Sequence, residues 1–195
     1  RTNRTWQELL GMAQLFLRNR YQTTSAGSGR GTALLFEMNT LFEEYVGRLI
    51  PRASAGTDYR VALQGGRLFC LTSVDDESAV FQTKPDILIR CAGKVVHVID
   101  TKWKQISSRI DDRKQGVSQG DVYQMMAYAY LYKAPRLTLL YPHHGDLSAE
   151  EGVQAQFRIS GQETIVDPAR VDIAKGDNII ARLRNIIALA ANEAL

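Results

Sequence analysis

The sequence predicts an α/β domain in which helices pack on a mixed β-sheet. Three observations carry this prediction. Stretches with apolar residues at helical spacing alternate with short runs rich in β-branched residues. Two pairs of those runs flank small-residue turns and read as antiparallel hairpins. A helical stretch separates "VVHVIDTKW" from "RLTLLYP", which reads as a right-handed crossover between parallel strands. Hairpins and a crossover in one chain give a mixed sheet.

Taken in order, Trp6, Leu9, Leu10, Ala13, Phe16 and Leu17 place an amphipathic helix over residues 4–20. "TTSAGSGRG" then reads as a flexible break. Leu35, Met38, Phe42, Tyr45, Val46 and Leu49 form the stripe of a second helix over 32–49, closed by Pro51. "DYRVALQ" and "RLFCLTSV" flank Gly65-Gly66 as a first hairpin, and "VFQTKPDILIR" and "KVVHVIDTKWK" flank Ala92-Gly93 as a second. "GDVYQMMAYAYLY" reads as a helix ended by Pro135. "RLTLLYPHH" and "VQAQFRIS" read as strands. A last helix is expected from Pro168 to Glu193, with Ile173, Ile179, Ile180, Leu183 and Ile187 buried. The expected organisation is an N-terminal helix and linker over 1–30, connecting to sequence upstream, and one domain over 31–195. The chain begins at Arg1, so a fragment or a processed chain is expected.

With 195 residues, 45% apolar and 23% charged, the composition suits one soluble domain with a full core. No run approaches the roughly 18 apolar residues of a membrane span, and no signal peptide is evident. A cytoplasmic protein is therefore expected. Cys70 and Cys91 are isolated, so free thiols are expected rather than a zinc site. A net charge of +3 permits a nucleic-acid partner without demanding one. Locally, Lys102, Lys104, Arg109, Arg113 and Lys114 outnumber Asp111 and Asp112. That patch suits phosphate contact, or else a solvated loop.

The chemistry concentrates in the second hairpin. If it turns symmetrically about Gly93, Asp86 lies across from Asp100 and Lys84 across from Lys102. Directly opposed residues have Cβ atoms about 4.5–5.5 Å apart, and residues two apart share a face. Asp86, Asp100 and Lys102 then share one face at one end of the sheet. Opposed carboxylates repel unless one is protonated or a cation lies between them. Hard oxygen donors at this separation suit Mg²⁺, with Mn²⁺ as a substitute. Lys102 is placed to orient water or neutralise a transition state. Together these point to phosphodiester hydrolysis. The competing reading is structural, because Asp after Pro is common at turns and Asp at a strand end caps loops.

At these residues the chain resembles the PD-(D/E)XK nuclease superfamily, with Pro85-Asp86 followed by Asp100-Thr101-Lys102. It is more specifically similar to the nuclease domain of McrC, the cleavage subunit of the McrBC modification-dependent restriction system. "FEMNTLFEEYV", "KPDILIR", "VIDTKWK", "DVYQMMAY" and "LLYPH" carry the likeness in the family's order, between about residues 33 and 145. The resemblance implies a restriction-endonuclease-like fold and Mg²⁺-dependent DNA cleavage. It implies Asp86 and Asp100 as metal ligands, the Thr101 carbonyl as a further ligand, and Lys102 as the catalytic lysine. It also implies a hexameric AAA+ GTPase partner of McrB type, contacted largely through a region upstream of the nuclease. Recognition of the modified base would belong to that partner. One site cuts one strand, so a double-strand break implies a dimer or two converging complexes.

Weaker candidates follow. Many nucleases of this superfamily place an acid in the helix before the sheet. Glu43 is chosen over Glu44 because Phe42 and Val46 put its side of the helix near the core. The alternative is a solvated surface glutamate. Gln124 and Tyr128, four apart on one helix face, resemble a motif that borders the active site in related nucleases. Against this, Asp121 with Gln124 also reads as a capping box, and Tyr128 as core. His97 is expected in the core and Trp103 in packing on the face opposite Asp100. Met125 and Met126 are expected in the core, and His143 and His144 at or near the surface. "GSGRG" lacks the Lys-Ser/Thr of a P-loop. Two other functions remain open: a repair exonuclease of the same superfamily, and a non-catalytic DNA-binding or assembly module.

Overall fold

A computed structural model describes residues 37–104, 114, 116–144 and 150–191. The expected helix over 4–20, the following linker and most of the basic loop after Lys104 lie outside the described residues. Helix α1 (Met38–Ala53) buries Phe42, Val46, Leu49 and Ile50, spaced so that they line one side. Each such burial contributes about 1.5–3 kcal/mol relative to exposure. Pro51 was expected to close this helix, but the helix runs through it to Ala53. With no N–H, Pro51 cannot donate to the Gly47 carbonyl, so the helix gives up one bond close to its end.

Strands β1 (Arg60–Leu63), β4 (Ile87–Cys91), β5 (Lys94–Thr101), β6 (Arg136–Pro142) and β9 (Ile165–Val171) lie side by side in that order. The short β7 (Gly152–Val153) and β8 (Phe157–Arg158) both pair with the outer edge of β9. β4 runs antiparallel to both β1 and β5, whereas β5, β6 and β9 are parallel. Helix α2 (Gln119–Tyr132) joins β5 to β6, as the crossover reading expected. α1 and the C-terminal helix α3 (Ile179–Ala191) pack on one face, over Ile87, Ile89, Ile99, Leu140 and Ala169. α2 packs on the other face, over Leu88, Val98, Leu137, Leu139 and Tyr141. The α/β architecture with a mixed sheet and flanking helices is as expected.

Four further local expectations fail. The first expected hairpin does not form. β1 pairs with β4, while β2 (Phe69–Thr72) pairs with β3 (Ala79–Gln82) in a separate two-stranded sheet. Gly66 serves close approach instead of a hairpin turn: at its φ of +76°, an added Cβ would sit 2.5 Å from the Tyr132 ring and 2.6 Å from Leu88. The expected long strand before Ala92 is broken between β3 and β4. "VQAQFRIS" forms the two short pieces β7 and β8. The last helix starts at Ile179, because residues 165–171 form strand β9 with Pro168 inside it. Pro168 has no N–H to lose where the outer edge of β9 changes partner. β8 pairs with Val166 and Ile165, and β7 with Ala169 and Arg170.

Candidate active site

The second hairpin forms, and its register explains how the acids meet. Ala92 and Gly93 both have positive φ, 47° and 81°, as a two-residue type I′ turn requires. Cys91 faces Lys94 and Arg90 faces Val95. Continued unchanged, that register would set Asp86 level with Ile99. The ladder shifts after Arg90, so Ile89 faces His97 and Ile87 faces Ile99. Val96 is the extra residue, a β-bulge. Asp86 thereby comes level with Asp100. The symmetric turn predicted from sequence reaches the right register at this end, but a bulge produces it.

Strand alternation then places Asp100 and Lys102 on the α2 face. Asp100 is only 2% exposed. Lys102 Nζ lies 2.6 Å from Asp100 Oδ2 and donates to Gln124 Oε1 at 2.9 Å. Gln124 Nε2 donates to the Tyr128 hydroxyl at 2.8 Å, which fixes the amide so that its oxygen faces the lysine. Thr101 donates to Asp86 Oδ2 from both its amide and its hydroxyl, each at 2.7 Å. Helix α2 is capped by Ser118, whose side chain accepts from the Asp121 amide, so Gln124 is not a capping residue.

The electrostatics are unbalanced. Burial, and next the charge of Asp86, push the Asp100 pKa up to about 6 against the pull of Lys102. Lys102 meets Asp100 Oδ2 as a close charge without an aligned hydrogen bond. Burial, and next the charge of Asp100, also push the Tyr128 hydroxyl upward, so it stays a neutral phenol. Hard oxygen donors around a shortage of positive charge suit a divalent cation.

Glu43 accepts from Gln64 Nε2 at 2.8 Å, and the Gln64 amide donates to the Asp86 carbonyl at 2.7 Å. One residue thus tethers Glu43 to Asp86. Among the described residues, no three His, Cys, Asp or Glu side chains gather as a metal cluster, so Glu43 does not join the two aspartates. Two carboxylates with places left for water and phosphate oxygens are the usual protein share of a Mg²⁺ site.

Sequence reasoning missed the Lys104–Asp121 pair, bonded at 2.8 and 3.0 Å beside this cluster. Burial pushes Asp121 upward. The hydrogen bonds from Lys104 and Ser118 outweigh it and hold the carboxyl below its ordinary value. The available signal was Lys104 following Lys102 at a spacing of two. Tyr141, also missed, is buried on this face, and after burial the charges of Asp121 and Asp100 raise its pKa. Trp103 packs on the other side, edge-on to Phe42 at 5.7 Å. Met125 is buried as expected, but Met126 is exposed because it follows on the outer side of α2. His143 and His144 are half-buried.

A model of the family described as "McrBC 5-methylcytosine restriction system component" matches residues 1–142. No curated protein matches the chain. Among solved structures, the chain is similar to one in a refined half-complex from the tetradecameric assembly of Thermococcus gammatolerans McrB AAA+ hexamers with bound McrC. The TM-score is 0.58 at 15% identity, covering 80% of this chain and 34% of that one. At that identity the likeness speaks for the fold, and this chain spans about a third of the solved chain's length.

Proposed function

Because the chain belongs to the family of McrBC 5-methylcytosine restriction system components, we propose that it carries that system's DNA-cutting activity. On this reading it is a Mg²⁺-dependent endodeoxyribonuclease of the PD-(D/E)XK kind. The observation that carries the proposal is the pairing of two level aspartates, one buried with a raised pKa, with a lysine held between Asp100 and Gln124.

Asp86 and Asp100 would hold the ion, with the Thr101 carbonyl as a further oxygen donor and Glu43 within reach only through the Gln64 tether. When bound, such an ion acidifies water and stabilises negative charge on phosphate. Thr101 fixes the Asp86 carboxylate in place. Lys102 brings a positive charge to the position where the phosphate becomes more negative in the transition state. Gln124, itself oriented by Tyr128, prevents the lysine from folding back onto Asp100 alone. Water adds to phosphorus, the bond to the 3′ oxygen breaks, and the products are a 5′-phosphate and a 3′-hydroxyl.

The solved relative is described with McrB AAA+ hexamers. A GTPase of that type is proposed as the partner here, with two copies of the chain needed for a double-strand break. The test is nicking of supercoiled DNA in Mg²⁺, with and without such a GTPase and GTP. The parent should cut, and Asp100→Ala and Lys102→Ala should not, while circular dichroism stays unchanged. Cutting by Asp100→Ala at the parental rate would overturn the assignment.

A further inference from the structure

Arg170 lies in β9, two strands from Asp100, and is 1% exposed. Its Nε, Nη1 and Nη2 are all buried without a hydrogen-bond partner. A buried guanidinium with none of its donors satisfied is costly unless an anion pairs with it.

Its place in the sheet says where that anion would lie. Arg170 is level with Tyr141 across the parallel pair β6·β9. The Lys102 amide donates to the Leu140 carbonyl at 2.9 Å, which carries the β5·β6 ladder one step on and sets Lys102 level with Tyr141. Lys102, Tyr141 and Arg170 therefore form one row across the sheet. All three are on the α2 face, since Arg170 shares the parity of Val166, which packs with Tyr141 there. At strand spacing, Lys102 and Arg170 are about 10 Å apart at the backbone. On the far side Arg170 pairs with Gly152, and among the described residues no atom stands within 4 Å of where a Cβ on Gly152 would lie.

We propose that Arg170 is a phosphate-binding residue of the cleavage site, gripping a phosphodiester group that flanks the one cut at Asp86, Asp100 and Lys102. The proposal rests on the nuclease reading above. A guanidinium fits this task because its planar donors match phosphate oxygens two at a time. It also explains why a chain would keep a charge that weakens its own free fold.

The test uses the whole chain with Arg170→Met, which keeps length and removes charge, and Arg170→Lys, which keeps charge. With cleavage blocked by Asp100→Ala, fluorescence anisotropy over a range of KCl concentrations should show Arg170→Met weakening DNA binding about tenfold. The slope of log affinity against log salt should fall by about one, and Arg170→Lys should restore part of both. Without DNA, Arg170→Met should melt a few degrees higher than the parent, because an unpaired buried charge is gone. Unchanged affinity and slope, or a lower melting temperature, would overturn the proposal. If the Asp100→Ala chain binds no DNA at all, the nuclease reading is the one that fails, and inorganic phosphate then decides for Arg170. A rise in melting temperature over chloride of equal ionic strength, absent in Arg170→Met, supports the phosphate site. No such difference overturns it.

Discussion

Two polar clusters sit in one sheet, on opposite faces and towards opposite ends of its parallel strands. At the start of β6 and β9, Arg136 donates to Asp167 Oδ2 from Nε at 3.1 Å and from Nη2 at 2.5 Å. Thr138 donates to Asp167 Oδ1 at 2.8 Å and stands 2.7 Å from His97 Nε2. Since that hydroxyl already gives its proton to Asp167, it accepts from a neutral His97 protonated on Nε2. Charge is balanced there within the fold. At the end of β5, Lys102 is held between Asp100 and Gln124, and burial with the charge of Asp86 pushes Asp100 towards neutrality. The first is buried throughout, whereas in the second Asp100 is buried and Asp86 and Lys102 are half-buried. His97 Nδ1 in the first lacks a hydrogen-bond partner, but only the second sets like charges against each other, and charge left unbalanced is the physical mark of a site as opposed to a staple.

Mutation should separate the two. The largest effect is expected from Asp100→Ala, with Mg²⁺-dependent nicking lowered more than about 100-fold, beyond the usual cost of losing a group that merely supports a ligand. Urea unfolding should show stability unchanged or raised, because a desolvated like charge has been removed. Next, Asp167→Ala in the balanced cluster should do the reverse. It leaves Arg136 buried without its carboxylate and should cost about 3–5 kcal/mol of stability in the same assay. Nicking by the fraction still folded should persist. Gln124→Ala should lower the nicking rate about 10- to 100-fold, as loss of a supporting contact usually does, with little change in the urea midpoint. Gln124→Glu, which keeps an acceptor for Lys102, should retain more activity than Gln124→Ala.

The smallest effect is in pH. Burial, and next the charge of Arg136, lower the His97 pKa from 6.5 to about 3. Between those values the unfolded chain binds a proton that the folded chain refuses, so stability falls as pH drops through that window. From pH 7 to 5 the loss from this residue should be about 2 kcal/mol. His97→Gln should flatten that part of the pH–stability curve. An equally steep curve in the variant would place the titration elsewhere.

Much of this was legible in the sequence where a pattern is local. The helices at α1 and α2, the Ala92-Gly93 hairpin and the parallel β6 all follow from spacing and turn chemistry. Asp86, Asp100, Lys102 and Gln124 were legible because side-chain alternation and helical repeat put them on facing surfaces. What failed depends on distant partners. Gly65-Gly66 resembles a hairpin turn until Tyr132 and Leu88 crowd it. Pro168 resembles a helix start, and only its position where β8 gives way to β7 lets it sit in a buried strand. Arg170 reads as an ordinary charged residue, since nothing nearby in sequence tells that its guanidinium is buried and unmatched. The bulge at Val96 is invisible to any count from the turn, yet it decides the site. A slip of one residue would set Ile99 level with Asp86 and turn Asp100 to the other face.

The Mg²⁺ reading requires that the two aspartates be short of a cation. Crystals soaked in Mn²⁺ and measured at its anomalous edge test this without a cleavage assay or a partner protein. A peak is expected between Asp86 and Asp100 in the parent and none in Asp100→Ala. An empty position at saturating Mn²⁺, with Lys102 still closed on Asp100, would contradict it.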